Sequence, residues 1–169
     1  MIACQEENFF NDINYILPQI HKIPLYENKE FNEKFNRNQT WPGLRSADLT
    51  KSDPIFTSMV LNLLLQTTMF QNKKFNLNMH LHLRLPDHES VEFIHTDNDR
   101  FVGLVFLNPS NLNSGTLIFD DMDRQVNDFK YVQNRFICFS GSYKHKGYGY
   151  FGDNNKNGRL TLNLFFDSE

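Results

Sequence analysis

At Phe75 the hydrophobic residues of the chain change from helical spacing to a period of two. From there to Pro86, apolar and polar residues alternate, as they do in a β-strand that buries one face. Further short strands are predicted at residues 91–95, 101–108, 116–120, 135–140, 147–152 and 159–166. Clusters of Asn, Gly, Pro and Ser between these segments favour turns. Seven or eight short strands in succession indicate a jelly roll or a barrel.

Residues 5–70 are predicted to be largely helical. Phe9, Ile13 and Ile20 belong to a first apolar set at helical spacing. A second helix is expected to follow Asp53, a good N-cap, and to end near residue 70. A polar, Asn-rich stretch follows the first helix and runs to residues 41–46, which are predicted to form a loop. The predicted fold class is therefore mainly β (α+β), a single domain with at least two N-terminal helices packed on one side of a jelly-roll core at residues 75–166.

Composition limits the classes of partner. A length of 169 residues with 40% hydrophobic content fits one domain with its own core. The net charge of −3 and the scattered Lys and Arg residues disfavour nucleic acid as a partner. No apolar run reaches the ~20 residues of a membrane span, and the N-terminus lacks a signal-peptide pattern. We expect a soluble cytoplasmic protein with no membrane partner, in which Cys138 is a buried, reduced thiol.

Three residues form a candidate metal site. His95 and Asp97 are two apart, and side chains at this spacing in an extended chain point to the same side. His145 follows beyond several predicted strands. Two imidazoles and one carboxylate on one face of an octahedron form the facial triad of non-haem Fe(II) oxygenases. Alone, His-x-Asp is a weak motif, and such a pair is more often a surface hydrogen bond.

The last predicted strand strengthens the metal-site hypothesis. Its polar face carries Arg159, Thr161 and Asn163. Arg159 and Thr161 are spaced to converge on one carboxylate, because a guanidinium binds a carboxylate through two hydrogen bonds and a hydroxyl adds a third. The alternative is an ordinary amphipathic strand with its polar face in water.

The order His-x-Asp, distal His and Arg-x-Thr resembles the 2-oxoglutarate- and Fe(II)-dependent oxygenases. Within that superfamily the chain is most similar to the small prolyl-4-hydroxylase-like branch, which includes microbial and phage-borne members. The resemblance extends over residues 40–166, and residues 115–119 resemble the short strand between the two parts of the triad. Residues 41–46 (Trp-Pro-Gly-Leu-Arg-Ser), 147–152 and 159–161 resemble segments of one subgroup.

This resemblance implies a double-stranded β-helix (jelly roll) with Fe(II) at its mouth. His95, Asp97 and His145 become the catalytic metal ligands, and Arg159 with Thr161 binds the C5 carboxylate of the co-substrate 2-oxoglutarate. The implied reaction uses O2 to hydroxylate an unidentified substrate, a prolyl or other protein side chain or a small molecule, and releases succinate and carbon dioxide. An intact Asp97 favours hydroxylation over halogenation, since halogenases of the family leave that ligand position free.

The resemblance also suggests a microbial or phage-encoded protein in a bacterial host. The loop at residues 41–46 is expected to border the mouth, with Trp41 or Arg45 in contact with substrate. The loop is alternatively structural only. Many relatives use a tyrosine against 2-oxoglutarate, but the candidates on the first long strand here are His80, His82 and Arg84, and none is a tyrosine. Residues 121–133 show no pattern that identifies a substrate lid.

Two other classes of function stay open. His80 and His82 could begin a cupin-like metal site, although Glu89 follows at the wrong spacing and Pro86 intervenes. The two histidines equally fit a plain polar strand face. A non-catalytic jelly-roll binding module is compatible with the composition, but it does not explain the position of Arg159.

Overall fold

The computed structural model describes residues 3–67, 70, 74–88 and 94–168. Within these ranges the strands are β1 (Ala3–Glu6), β2 (Leu44–Arg45), β3 (Phe75–Arg84), β4 (Phe101–Phe106), β5 (Asn111–Phe119), β6 (Gln125–Tyr131), β7 (Phe136–Ser140), β8 (Lys144–Tyr148) and β9 (Arg159–Ser168). The helices are α1 (Ile13–Ile20), α2 (Asn28–Phe35), α3 (Leu49–Ser52) and α4 (Pro54–Gln66).

The strands form two antiparallel sheets. The larger sheet has the order β1-β7-β4-β9-β3-β2, and the smaller has the order β6-β5-β8. A bridge between His95 and His145 places the segment before β4 beside β8. From β3 to β9 the chain thus passes repeatedly between the two sheets, which is the topology of a jelly roll. The predicted fold class is confirmed.

The helices cover the outer face of the large sheet. Asp53 caps α4, because its Oδ1 accepts from the backbone N–H of Phe56 at 3.0 Å, and Pro54 occupies the first helical position as predicted. Buried Val60 and Leu64 of α4 join one apolar core with the outward-facing leucines of β3 and β9. This core contains Cys138, whose predicted burial is confirmed.

A second core fills one end of the space between the sheets. It combines Ile118 and Phe129 of the small sheet with Phe106, Ile137 and Phe139 of the large sheet. The inner faces of β3 and β9 carry polar residues instead. The interior of the jelly roll is therefore apolar at one side and polar at the other, and the polar side holds the candidate site.

Several predicted boundaries were wrong. The described residues begin with strand β1, ahead of the predicted helices, and helix α2 lies in the polar, Asn-rich stretch for which no separate element was predicted. Only Phe31 of α2 is buried, so the helix has no apolar face from which the sequence could predict it. Strand β6 lies in the segment at residues 121–133, for which no pattern was recognised. Only Phe129 and Tyr131 of its seven residues are buried, so the strand shows no clear alternation of apolar and polar residues. Strand β8 starts at Lys144, three residues before the predicted strand.

Other predictions are only partly covered. Helix α4 ends at Gln66, earlier than expected, and β2 interrupts the predicted loop at residues 41–46. The predicted strand at residues 91–95 lies mostly outside the described residues, as does Glu89. Within the described ranges, none of the helices is long and apolar enough to cross a bilayer.

Candidate metal centre

His95 and His145 lie directly opposite each other on neighbouring antiparallel segments. The His95 N–H donates to the His145 carbonyl at 3.1 Å, and the His145 N–H donates to the His95 carbonyl at 2.8 Å. Opposite residues of antiparallel strands point to the same face. The two imidazoles are therefore neighbours, with ring centroids 4.3 Å apart.

Asp97 reaches the same place because its backbone is tied to the turn before β8. Its N–H donates to the carbonyl of Gly141 at 2.9 Å. The two segments pass so closely that a Cβ on Gly141 would lie 2.0 Å from the carbonyl oxygen of Asp99. A side chain at residue 141 would push the Asp97 segment away from the histidines.

The ligand atoms of His95, Asp97 and His145 all lie within 4.8 Å of one another. Nε2 of His145 is 3.3 Å from Oδ2 of Asp97. Adjacent ligands held about 2.1 Å from one octahedral ion would be about 3 Å apart, so this separation suits a shared metal. Nδ1 of His145 is 3.0 Å from the carbonyl of Tyr143, which can only accept. With a metal bound, Nδ1 would carry the proton and donate to this carbonyl, which leaves Nε2 as the ligand atom beside Asp97.

The charge state of Asp97 also suits a ligand. Burial raises its pKa, but a hydrogen bond from His145 and the positive charges of His145, His95 and Arg45 together outweigh burial, and the pKa lies below the usual value. The carboxylate is therefore ionised at neutral pH, as metal binding requires.

The triad lines a cleft of about 1000 Å³. A cleft of this volume accommodates a co-substrate and a small organic group together. The inner faces of β3 and β9 contribute the following polar lining residues: Asn78, His80, His82, Arg84, Arg159, Thr161 and Asn163.

Arg159 is buried at this polar wall, with 4% of its surface exposed. Its Nη2 donates to the carbonyl of Gly115 at 3.0 Å and to Oγ1 of Thr116 at 3.2 Å. Its Nε is buried and has no hydrogen-bond partner among the described residues. A Cβ on Gly147 would lie 3.1 Å from Nη2, so a side chain there would press against the guanidinium. The guanidinium is thus held firmly, with donor capacity left for a ligand.

A second guanidinium lies beside Arg159, on the neighbouring strand and the same face of the sheet. Arg84 of β3 pairs directly with Arg159 of β9. Burial lowers the pKa of Arg159, and the Arg84 guanidinium lowers it further, although Tyr131 and Tyr150 act in the opposite direction. Two cations directly opposite each other destabilise an antiparallel pair, so this arrangement favours a bound anion between them.

Tyr150 is a cleft residue for which the sequence predicted no role. Its ring centroid is 4.0 Å from Cζ of Arg84 and 5.9 Å from Cζ of Arg159. Its hydroxyl donates to the carbonyl of Gly147 at 2.9 Å. Tyr150 therefore contacts both guanidinium groups with its ring, and its hydroxyl is engaged elsewhere.

Thr161 lies one step further along the same face. Its Oγ1 donates to Oδ1 of Asn163 at 2.6 Å and is 3.4 Å from the carbonyl of His82. A hydroxyl has one proton to donate. Thr161 therefore lines the predicted co-substrate pocket, but in this structure its proton is directed to Asn163.

The two other predicted site residues also line the cleft. Cζ of Arg45 lies 4.5 Å from the centroid of the Trp41 ring. Trp41 is buried against Phe31 of α2, at a centroid distance of 4.7 Å and an interplanar angle of 89°. Helix α2, which the sequence did not predict, thus supports the loop in which substrate contacts were predicted.

The histidines of β3 hold this loop to the sheet. Nδ1 of His80 is 3.0 Å from the carbonyl of Ser46, and Nε2 of His82 is 2.6 Å from the carbonyl of Pro42. Both rings are donors in these contacts, since carbonyl oxygens only accept. Among the described residues, the side chains close enough together to bind one metal ion are those of the triad. His80 and His82 do not belong to such a cluster.

Solved structures share this fold. A prolyl-4-hydroxylase from Pseudomonas putida is 14% identical with a TM-score of 0.56, over 97% of this chain and 91% of that chain. A 2OG-Fe(II) oxygenase family protein from Burkholderia pseudomallei is 12% identical with a TM-score of 0.59, over 98% and 84%. HygX from Streptomyces hygroscopicus, solved with nickel and 2-oxoglutarate, is 11% identical with a TM-score of 0.60, over 97% and 81%.

These likenesses establish that the chain has the jelly-roll fold found in 2-oxoglutarate- and Fe(II)-dependent oxygenases. Comparison with protein-family models and with curated proteins finds no match. The assignment of activity therefore depends on the site of this chain.

Proposed function

We propose that the protein is a 2-oxoglutarate- and Fe(II)-dependent dioxygenase that hydroxylates a C–H bond of its substrate and releases succinate and carbon dioxide. The observation that carries this proposal is the presence, in one cleft, of a His/Asp/His ligand set and a buried guanidinium with an unused donor. A non-catalytic binding module has no need for either group.

The donor set fits Fe(II). His95, Asp97 and His145 would hold the ion on one octahedral face, which leaves positions for co-substrate and oxygen. When bound, Fe(II) supplies the redox chemistry that activates oxygen, and the protein supplies orientation and shelter from side reactions. The contact from His145 Nδ1 to the Tyr143 carbonyl orients one imidazole and increases its basicity.

The polar wall fits 2-oxoglutarate. Gly147, which touches Arg159, follows His145 by two residues on the same strand. Two residues of extended chain span about 7 Å, a distance comparable to the length of a five-carbon dicarboxylate. In the proposal, Arg159 binds the C5 carboxylate while the other end of the molecule lies at the triad. Thr116 and Gly115 keep the guanidinium in place through its Nη2.

The substrate is proposed to enter through the rim formed by α2 and the loop at residues 41–46, which line the same cleft. A prolyl or other protein side chain is the first class to test, and small molecules are the second. The fold likeness to a prolyl-4-hydroxylase supports the first class.

The test is oxidation that depends on both cofactors. Purified protein is incubated with Fe(II), 2-oxoglutarate and oxygen, together with panels of proline-containing peptides and small molecules. Mass spectrometry should detect a product heavier by one oxygen atom, and an equal amount of succinate should form. Asp97→Ala should abolish both signals, whereas the matched variant of an exposed carboxylate, Asp121→Ala, should retain them.

Two results would contradict the proposal. One is failure of the protein to form succinate with any panel despite bound Fe(II) and 2-oxoglutarate. The other is product formation in Asp97→Ala at the wild-type rate, which would remove the triad from the chemistry.

A further inference from the structure

Arg45 is a third guanidinium in the cleft, and neither the metal nor 2-oxoglutarate accounts for it. It pairs across β2 and β3 with His82, so it lies beside the polar wall. Its Nε is buried and has no hydrogen-bond partner among the residues that the structure describes. Burial lowers the pKa of Arg45 to about 10, and Asp97 partly offsets this effect. Arg45 is therefore a cation at neutral pH.

The side chain stacked on Arg45, that of Trp41, also has a buried hydrogen-bond donor without a partner among the described residues. Trp41 stacks at 4.5 Å from the guanidinium, and its Nε1 is also buried without a partner in the described part of the chain. Both groups only donate hydrogen bonds, and leaving such donors unmatched costs stability. The Trp41 backbone is fixed through its N–H, which donates to Oδ1 of Asn28 at 3.0 Å. The two donors are thus held together and not satisfied by the protein.

The net charge of the cleft also favours an anionic ligand. Arg45, Arg84 and Arg159 all lower the pKa of His82, after burial, which places three guanidinium groups around one imidazole. With Fe(II) and 2-oxoglutarate bound, these cations and the metal would still outweigh Asp97 and the two carboxylates of the co-substrate by two charges. Excess positive charge in the cleft favours one more anion.

We propose that Arg45, stacked on Trp41, binds an anionic group of the primary substrate, a carboxylate or a phosphate, and so holds the substrate beside the metal centre. Arg45 suits this role because its planar guanidinium matches both anions. Arg45 and the metal ligands line the same cleft, so an anion bound at Arg45 would lie near the metal centre. The inference rests on the proposed function for what happens to the substrate, but the anion site can be measured separately.

Trp41 is the single tryptophan of the chain, so its fluorescence reports on this site. Protein loaded with Zn(II) and saturating 2-oxoglutarate is titrated at constant ionic strength with propionate, inorganic phosphate and the neutral isostere propionamide. A saturable fluorescence change is expected with propionate or phosphate and not with propionamide. The relative response to propionate and phosphate identifies which anion the site prefers.

Variants locate the binding. Arg45→Gln should weaken the preferred anion about tenfold or more, and Arg45→Lys should weaken it less because the charge is kept. Arg37→Gln is the matched control, since Arg37 lines the same cleft but is exposed, and it should bind as the wild type does. Trp41→Phe should remove the signal and thereby confirm its origin.

The proposal is overturned if propionamide binds as well as propionate, if neither anion gives a saturable response, or if Arg45→Gln binds with wild-type affinity. It is also overturned if saturating 2-oxoglutarate abolishes the anion response, because Arg45 would then belong to the co-substrate pocket. The wild-type comparison of acid with amide needs no variant to fold. Repeating the titration without metal and co-substrate separates the two proposals: anion binding that depends on Arg45 in a protein that never binds 2-oxoglutarate would support the anion site and refute the dioxygenase.

Discussion

Both faces of β9 are buried, but only the outer face is packed against other parts of the protein, whereas the inner face lines the cleft. On the outer face, Leu160, Leu162, Leu164 and Phe166 are at most 1% exposed and join the apolar core beneath the helices. On the inner face, Arg159, Thr161 and Asn163 are 4%, 1% and 9% exposed and line the cleft. Burial alone therefore does not distinguish a structural face from a functional one.

The difference lies in whether buried groups are satisfied within the protein. Apolar side chains of the outer face are complementary to their neighbours, so they contribute to the free energy of folding. The inner face keeps a buried Arg159 Nε without a hydrogen-bond partner among the described residues, which the fold alone does not explain. We expect changes on the outer face to reduce stability and changes on the inner face to reduce ligand binding.

The largest effect should come from the outer face. Leu164→Ala removes a fully buried side chain from the core, and the free energy of unfolding should fall by about 2–5 kcal/mol in chemical denaturation. The control Leu112→Ala, at a residue 63% exposed, should change it by less than about 0.5 kcal/mol. Equal losses in the two variants would show that the outer face is not a tightly packed core.

The next effect belongs to the inner face. Arg159→Gln removes the charge proposed to bind the co-substrate, and the dissociation constant for 2-oxoglutarate should rise about tenfold or more in equilibrium dialysis. The exposed control Arg124→Gln should leave it unchanged. Undiminished binding by Arg159→Gln would assign the carboxylate to another group, and Arg84 is the first to test.

A pH experiment sharpens the comparison at β3. Burial is the main reason that the pKa of His82 lies well below its usual value. In the unfolded chain a histidine titrates near about 6.5, so below that pH the unfolded state takes up a proton that the folded state does not. The free energy of unfolding should therefore fall, by up to about 1.4 kcal/mol per pH unit from this residue, as pH drops below about 6.5.

Urea denaturation at several pH values measures this slope. His82→Gln should reduce the slope, since Gln has no proton to take up. His80→Gln should reduce it less, because the pKa of His80 is lowered to a smaller extent. A slope in His82→Gln that equals that of the wild type would show that His82 is not the residue that titrates.

The smallest effect is expected at Thr161. Its hydroxyl proton is directed to Asn163 at 2.6 Å, so it contributes little to a ligand. Thr161→Val should weaken 2-oxoglutarate by less than about threefold, well below the effect of Arg159→Gln. A tenfold loss would mean that the hydroxyl turns to the co-substrate when it binds.

The sequence predicted the parts of the molecule in which local pattern and tertiary role coincide. Helix α4 has a capping Asp53 and Pro54 in its first turn, and apolar and polar residues alternate regularly in β3 and β9. These local patterns were enough to predict all three elements. The order of His95, Asp97, His145 and the closing arginine predicted a site whose members the structure brings to one cleft.

Elements with few buried residues could not be recognised in this way. Helix α2 buries one residue and β6 buries two, so neither shows a clear hydrophobic period. Tyr150 was not predicted, because nothing in its local sequence indicates that its ring will lie near the guanidinium groups of Arg84 on β3 and Arg159 on β9. Opposition of Arg84 and Arg159 depends on strand register, which only the folded chain defines.

The most direct test of the metal and co-substrate site is the visible absorption spectrum of the anaerobic protein. Adding 2-oxoglutarate to the Fe(II)-loaded wild type should produce the weak charge-transfer band of the chelated complex, and Asp97→Ala should show none. A wild-type protein that stays colourless with both components present, or an equally strong band in Asp97→Ala, would contradict the account.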